Sequence, residues 1–292
     1  IIVTLGDRFE NMSLVTAAWV CRIPVAHIQG GEKTLGAIDD QFRHCITKLS
    51  TLHFVAAEEY RNRVIQLGEQ PKNVYNVGAL NVESLKKTEI LPKEEIEKLI
   101  NFSLDKRTIL VTFHPVTLEN NTAENDFRQL LSAIDMIKDL KIIFTKTLAD
   151  TNGRIINHMI DEYVSKNSQK SISFTSMGQS KYISTLNYIG AVVGNSSSGI
   201  IETPSLSLPT VNIGVREEGR IMDKNIISVK QDTHKIAKAI TKALSIDFKL
   251  SLNDMKSSYE KEGTSKNIAT ILSKFEIPRT NMKEFYDIKF RL

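Results

Sequence analysis

Tyr188-Ile189-Gly190-Ala191-Val192-Val193 runs directly into Gly194-Asn195-Ser196-Ser197-Ser198-Gly199 and then Ile200-Ile201-Glu202. The apolar run reads as a buried strand. The Gly/Asn/Ser run reads as a tight turn that opens a short helix. Such a turn aims backbone N–H groups and the positive end of a helix at one spot, where a phosphate binds. The three serines add hydroxyl donors. Glu202, one helical turn on, can accept both hydroxyls of a ribose. The segment therefore offers the parts of a nucleotide-diphosphate site. It also reads as an N-capped helix with Ser198 as the cap, and spacing alone leaves both readings open.

The same strand-to-helix step recurs outward from this point. β-rich apolar runs stand at Ile1–Leu5, Val25–Gln29, Leu52–Ala56, Val74–Val77, Thr108–Phe113, Lys141–Thr145, Ser171–Thr175, Ala191–Val193, Thr210–Ile213 and Ile226–Val229. Helical patterns lie between them at Asn11–Cys21, Asp40–Leu49, Glu58–Leu67, Ala123–Ile137, Gly153–Val164, Lys181–Ile189 and Thr233–Leu244. Buried strands alternating with helices predict an α/β protein with parallel sheets. The rhythm pauses over 81–107, a charged stretch with a helix at Lys93–Ile100 behind Pro92. That pause predicts a hinge between two doubly wound domains. The expected division is 1–102, 103–276 and a surface tail at 277–292. The site is expected in a cleft at the carboxyl ends of the strands.

Composition bounds the function. With 292 residues, 41% hydrophobic and 25% charged, the chain suits one or two globular domains. Cys21 and Cys45 suit neither a disulfide framework nor a metal site, which predicts a reducing compartment. No run of about 18 apolar residues suggests a membrane span, and no secretory signal peptide is evident. The net charge of +4 comes from scattered lysines, so nucleic acid is not implied. The chain opens directly on a buried strand, and the numbering is expected to start inside a domain.

Polar residues just after strands are the candidates for chemistry. Asp7 follows the first strand, in Gly6-Asp7-Arg8-Phe9-Glu10. His27 and Gln29 end the second, followed by Gly30-Gly31-Glu32. Asp39 and Asp40 start a helix, with Arg43 and His44 one turn on. His114 follows the fifth strand. Each also has an ordinary reading: Asp39 as an N-cap, Asp7 as a turn residue, His114 as a loop histidine, His44 and His53 as packing residues. Several acids and a histidine on strand ends beside a nucleotide turn nevertheless favour an active site. No metal-ligand spacing is present, and neither a metal nor another cofactor is expected.

These motifs carry a resemblance. Gly6-Asp7-Arg8-Phe9-Glu10, His27-Ile28-Gln29-Gly30-Gly31-Glu32, Ile38-Asp39-Asp40 with Arg43-His44 and Ile46-Thr47-Lys48, His114-Pro115-Val116-Thr117, and Gly194 to Gly199 resemble, in order, the hydrolysing UDP-N-acetylglucosamine 2-epimerases of sialic acid biosynthesis (the NeuC type). The resemblance covers nearly the whole chain. It implies two Rossmann-like domains in the glycosyltransferase-B arrangement, the first truncated at its N-terminus by roughly 100 residues, about three βα units. It implies removal of the C2 proton of a UDP-sugar, loss of UDP from C1 to give a glycal, and addition of water. By resemblance the catalytic residues are Asp7, Asp39 and His114. Some relatives carry Glu where this chain has Gln29, and Glu32 is the nearest carboxylate for that role. Substrate contacts are expected from Arg8, Gln29 and Arg43. They are also expected from Asn195, Ser196, Ser197, Gly199, Glu202 and Arg216, with Ser196, Ser197 and Glu202 meeting the nucleotide. Thr145-Lys146-Thr147 before Leu148-Ala149-Asp150 departs from the Pro-Asn pair of many relatives.

The resemblance further implies a cytoplasmic homodimer with no membrane or nucleic-acid partner. The alternatives are an epimerase for a UDP-2,4-diacetamido-trideoxyhexose of legionaminic acid synthesis and a non-hydrolysing UDP-N-acetylglucosamine 2-epimerase. A retaining glycosyltransferase of the same fold and a non-catalytic binding module complete the set.

Overall fold

The structure is a computed structural model and describes residues 1–116, 122–147, 152–277 and 282–289. Thr117 and the Leu148-Ala149-Asp150 stretch singled out above lie outside the described residues.

Among the described residues, ten strands and twelve α-helices form two compact units. The first holds residues 1–34, 38–84 and 258–292, and the second holds 35–37 and 85–257. Strands β1 (Ile2–Leu5), β2 (Val25–Ile28), β3 (Leu52–Val55) and β4 (Val74–Asn76) make a parallel sheet in sequence order. Helices α1 (Phe9–Val20), α2 (Asp39–Leu49) and α3 (Glu58–Gln66) connect them, and α4 (Leu80–Lys87) leads out.

The second unit is a six-stranded parallel sheet of β5 (Thr108–Thr112), β6 (Lys141–Thr145), β7 (Ser171–Phe174), β8 (Ala191–Gly194), β9 (Thr210–Ile213) and β10 (Ile226–Val229). Its order is β10-β9-β8-β5-β6-β7. The chain works outward from β5 to β7, then returns to the other side of β5. The crevice at that reversal, at the carboxyl ends of β5 and β8, is where such sheets bind ligands. Its helices are α5 (Lys93–Ile100), α6 (Ala123–Asp135), α7 (Gly153–Lys166), α8 (Gln179–Tyr188), the single turn α9 (Ser198–Ile201), α10 (Thr233–Leu244) and the short α11 (Ile246–Leu250).

Why these runs are strands is visible in their neighbours. Ile109, Val111, Ile142, Phe144, Ala191 and Val193 face a core shared with Phe127, Ile156 and Ile240. Leu110, Ile143 and Val192, one residue out of step, face the opposite core with Ile96, Ile100 and Leu186. Successive side chains point to opposite faces, so a strand covered on both must be apolar throughout. The helices supply the matching stripes, Phe127, Leu130 and Ile134 on α6 and Ile236, Ile240 and Ala243 on α10. Asp232 caps α10 by accepting the Lys235 N–H at 2.8 Å.

The compact units divide the chain differently from the expected 1–102 and 103–276. Residues 85–102 belong to the second unit because Ile96 and Ile100 of α5 pack with α8. Residues from 258 on return to the first. Helix α12 (Thr264–Lys274), not foreseen, lays Ile268, Ile271 and Leu272 over Ala26, Ile28, Leu52 and Phe54. Val25 one step out of phase faces Val15, Ala18 and Ile46 on the other side. Thr264 Oγ1 donates to the Val77 carbonyl at 2.7 Å and the Tyr60 and Tyr259 hydroxyls meet at 2.8 Å.

The described tail residues, mostly exposed, make definite bonds within the first unit. Lys283 Nζ bonds Glu69 Oε2 at 2.8 Å and the Lys48 carbonyl at 2.7 Å, and Phe285 packs on Gly68. Among the described residues, no helix is long and apolar enough to cross a membrane.

Candidate active site

The first group lies at the carboxyl ends of β1 and β2. His27, on β2, is wholly buried, and burial pulls its pKa down to about 3, so the ring is neutral. Its Nε2 faces the Gly6 carbonyl at 2.8 Å, which can only accept, so Nε2 carries the proton. Nδ1 then accepts from Thr47 Oγ1 at 3.2 Å. This pair of bonds holds the turn on which Asp7 stands.

Arg43, on α2, is 1% exposed. It donates to the Glu32 carbonyl at 2.9 Å, Asp40 Oδ1 at 3.2 Å, Thr34 Oγ1 at 2.6 Å and the Asp7 carboxylate. Asp40 Oδ1 also accepts the Thr34 N–H at 2.6 Å. Burial of Asp40 favours its neutral form, but His44, the Thr34 N–H and Arg43 outweigh burial and hold the carboxyl below its ordinary range. Arg43 is thus engaged by protein acceptors, where a substrate contact was expected.

Of the expected acids, Asp7 is partly open, its side chain 24% exposed, Glu32 is buried and Asp39 is half-buried at the first position of α2. The neighbouring Asp40, among the polar candidates but not expected to be catalytic, is the carboxylate of that pair joined to Arg43. Arg8 is half-buried, its side chain 42% exposed; it pairs with Glu10 at 3.3 Å and lies over the Phe9 ring. Gln29 has φ +64, a backbone region that non-glycine residues adopt mainly where the surroundings impose it. Its N–H donates to Phe54 O at 2.8 Å and its amide to Asn81 Oδ1 at 3.4 Å.

The second group occupies the crevice between β5 and β8. Gly194 has φ +137, and a Cβ there would lie 1.8 Å from the Thr112 carbonyl, so only glycine ends β8 in this way. Asn195 follows, fully buried. Its N–H donates to Thr112 O at 3.1 Å, its Oδ1 accepts the His114 N–H at 2.7 Å, and its Nδ2 donates to His114 O at 2.8 Å. One asparagine clamps both strand ends. His114 Nδ1 lies 2.7 Å from Thr147 Oγ1. Arg216, in the loop after β9, donates to the Asn195 carbonyl at 3.0 Å and pairs with the buried Glu217, which Arg220 meets at 2.6 Å.

The helix after the serines differs from expectation. Its N-cap is Ser197 and not Ser198, and no side chain makes a capping bond. Ser198 Oγ instead lies 3.1 Å from Ser196 Oγ. Because α9 is a single turn, few peptide dipoles add up there. The anion-binding capacity of Ser196, Ser197 and Gly199 rests on individual N–H and hydroxyl donors. Glu202 follows α9 directly. Tyr182 on α8 was not foreseen. Burial, and the Glu202 carboxylate beside it, push its phenol well above the ordinary range. Nothing local in the sequence marks this tyrosine, because it sits within an ordinary helical pattern. Among the described residues, no group of three or more His, Cys, Asp or Glu side chains is placed to hold a metal ion.

Residues 1–273 match the family described as UDP-N-acetylglucosamine 2-epimerase. The GDP/UDP-N,N'-diacetylbacillosamine 2-epimerase (hydrolyzing) of Campylobacter jejuni is 42% identical over 85% of this chain and 64% of its own length. The polysialic acid biosynthesis protein P7 of Escherichia coli is 37% identical over 98% of this chain and 73% of its own length. The chain thus spans about two thirds to three quarters of these relatives. In fold, it is similar to the crystal structure of UDP-GlcNAc 2-epimerase from Neisseria meningitidis bound to UDP-GlcNAc. The TM-score is 0.78 at 19% identity, over 94% of this chain and 76% of the other.

Proposed function

Because the chain belongs to the UDP-N-acetylglucosamine 2-epimerase family, we propose that it is a hydrolysing UDP-sugar 2-epimerase. In this reading it converts UDP-N-acetylglucosamine and water to N-acetylmannosamine and UDP, for sialic acid synthesis. The observation that carries the chemistry is the Asp7 carboxylate, partly open and held by the buried Arg43 guanidinium. A weakly acidic C–H needs a positioned base, and a fixed partner supplies the positioning.

A carboxylate takes the C2 proton while the C1–O bond to UDP breaks, which leaves a double bond between C1 and C2. Water then adds, its hydroxyl to C1 and a proton to the opposite face of C2. Asp7, Glu32 and Asp39 are the groups proposed to move these protons, with His114 as the catalytic histidine. Ser196, Ser197, Gly199 and Arg216 meet the charge that grows on departing UDP, and Glu202 accepts from the ribose hydroxyls. Asn195 acts by clamping His114. Arg43, placed earlier as a substrate contact, acts by holding Asp7. The reading includes a cytoplasmic homodimer, which light scattering on the purified protein tests.

A second reading keeps the chemistry and changes the sugar. The Campylobacter relative, at higher identity than the Escherichia one, is named for a diacetamido sugar, so a UDP-2,4-diacetamido-trideoxyhexose is the rival substrate. The experiment is turnover of each nucleotide sugar in D2O with products read by NMR. Free N-acetylmannosamine with deuterium at C2 is the expected product. UDP-N-acetylmannosamine would mark a non-hydrolysing enzyme, and retention of the substrate's own C2 hydrogen would overturn the chemistry. A higher kcat/KM for the diacetamido sugar would select the second reading.

A further inference from the structure

Between Glu32 and Asp39 the chain passes through Leu35-Gly36-Ala37, a tripeptide that belongs by its contacts to the second unit. Gly36 and Ala37 are buried there, and the Leu35 N–H points at the Glu218 carbonyl, 3.4 Å away. A Cβ on Gly36 would lie 2.8 Å from Arg216 Cα, 3.2 Å from Arg216 N and 3.1 Å from Val116 Cγ1. The first contact is with backbone, which cannot swing aside as a side-chain tip can. Arg216 in turn bonds the Asn195 carbonyl at 3.0 Å, and Asn195 clamps His114. Gly36 has no positive φ to explain it. Its lack of a side chain serves close approach alone.

We infer that Gly36 is a positioning residue for the nucleotide site. The hydrogen it carries in place of a side chain lets the loop after β9 settle, and so sets where the Arg216 guanidinium stands beside the Gly194–Gly199 turn. The inference rests on the nucleotide reading above. A methyl group at position 36 displaces the Arg216 backbone by a few tenths of an ångström or more. A charged hydrogen bond is sensitive to such a shift, and its loss corresponds to about tenfold or more in affinity.

The test is a double-mutant cycle read by calorimetry with UDP. Gly36→Ala should raise the Kd for UDP about tenfold. In the Arg216→Ala background the same substitution should change it less than about twofold, because residues that act through one contact are not additive. Unchanged affinity in Gly36→Ala, or equal losses in both backgrounds, overturns the inference. A readout without nucleotide separates it from the functional reading. The Nε–Hε NMR resonance of Arg216, assigned by its disappearance in Arg216→Ala, should shift in Gly36→Ala. If the wild type fails to bind UDP, the nucleotide reading falls, and a fixed resonance would then remove the positioning claim as well. If Gly36→Ala does not fold, Val116→Ala, which loosens the same contact from the other side, must move that resonance for the inference to stand.

Discussion

Arg43 donates to the carboxylate of Asp7 across 36 residues of sequence, and the arginine side chain is 1% exposed while the aspartate is 24% exposed. The charge that orients the acid is therefore inside the protein and the acid itself is reachable. The remaining donors of Arg43 are spent on Glu32 O, Thr34 and Asp40. The guanidinium ties the β1 turn, the β2 turn and the start of α2 into one web.

Removal of that guanidinium should cost stability as well as turnover. Arg43→Met leaves Asp40 and Asp7 without their cation, and breaking a buried pair costs about 3–5 kcal/mol. Urea unfolding should show that loss. Asp7→Asn, at the open end of the same bond, should lower the unfolding free energy by less and kcat by about 10²-fold. If Arg43→Met unfolds at the wild-type urea midpoint, the web contributes nothing to stability.

Glu32→Gln, Asp39→Asn and His114→Ala should each lower kcat by about 10²-fold or more, with UDP affinity little changed. Normal turnover in Glu32→Gln alone would show that it does not stand in for the glutamate that relatives carry at the Gln29 position.

Glu202→Ala should weaken UDP binding by about 1.5–3 kcal/mol, the worth of a charged hydrogen bond. Calorimetry measures it directly, and wild-type affinity in the mutant would take Glu202 out of the ribose role.

Stability should fall as pH drops below neutral. His27, at a folded pKa of about 3, stays neutral while the unfolded chain protonates it near 6.5, and burial lowers His53 in the same direction. The unfolded state then binds more protons, so His27 can cost up to about 1.4 kcal/mol per pH unit below 6.5. Glu69 behaves in the complementary way. Burial opposes its charge, but His53 and Lys283 outweigh burial and bring its pKa to about 2. Its contribution is present above about 4.5 and is lost as pH falls toward 2. Urea midpoints at pH 7.5, 6 and 5 should decline steadily. Equal midpoints across that range would contradict the neutral, buried state of His27.

Lys283→Met should lower the melting temperature, since it removes bonds from the tail to Glu69, to Lys48 O and to Ser50 O. An unchanged melting temperature would show that these bonds add nothing to stability.

The ten described strands and most of the helices between them are legible in the sequence, with ends shifted by a residue or two, while α4 is not. The reason is local. Ile109, Leu110 and Val111 must satisfy two cores on alternate sides, and a stretch under that demand is apolar wherever it sits. Gly194 before Asn195 and the serines is legible for the same kind of reason, because no side chain fits at the end of β8. The positions of Asp7, Glu32 and His114 at strand ends follow from the strands.

Pairing across long separations is not written in any local pattern. The helix that carries Ile268, Ile271 and Leu272 was not foreseen, and only the packing shows it as α12 lying on β2 and β3. Arg43 reads as a substrate contact until Asp7, Thr34 and Asp40 are brought to it. Nothing near Gly36 in the sequence marks it out, because the backbone that approaches it is that of Arg216, far along the chain. Periodicity and turn chemistry act over a few residues, so the sequence by itself determined the elements and the strand-end placement of the polar groups. Burial of a charge and closeness of two backbones depend on which distant segments meet, so the tertiary structure alone decided how those groups are held.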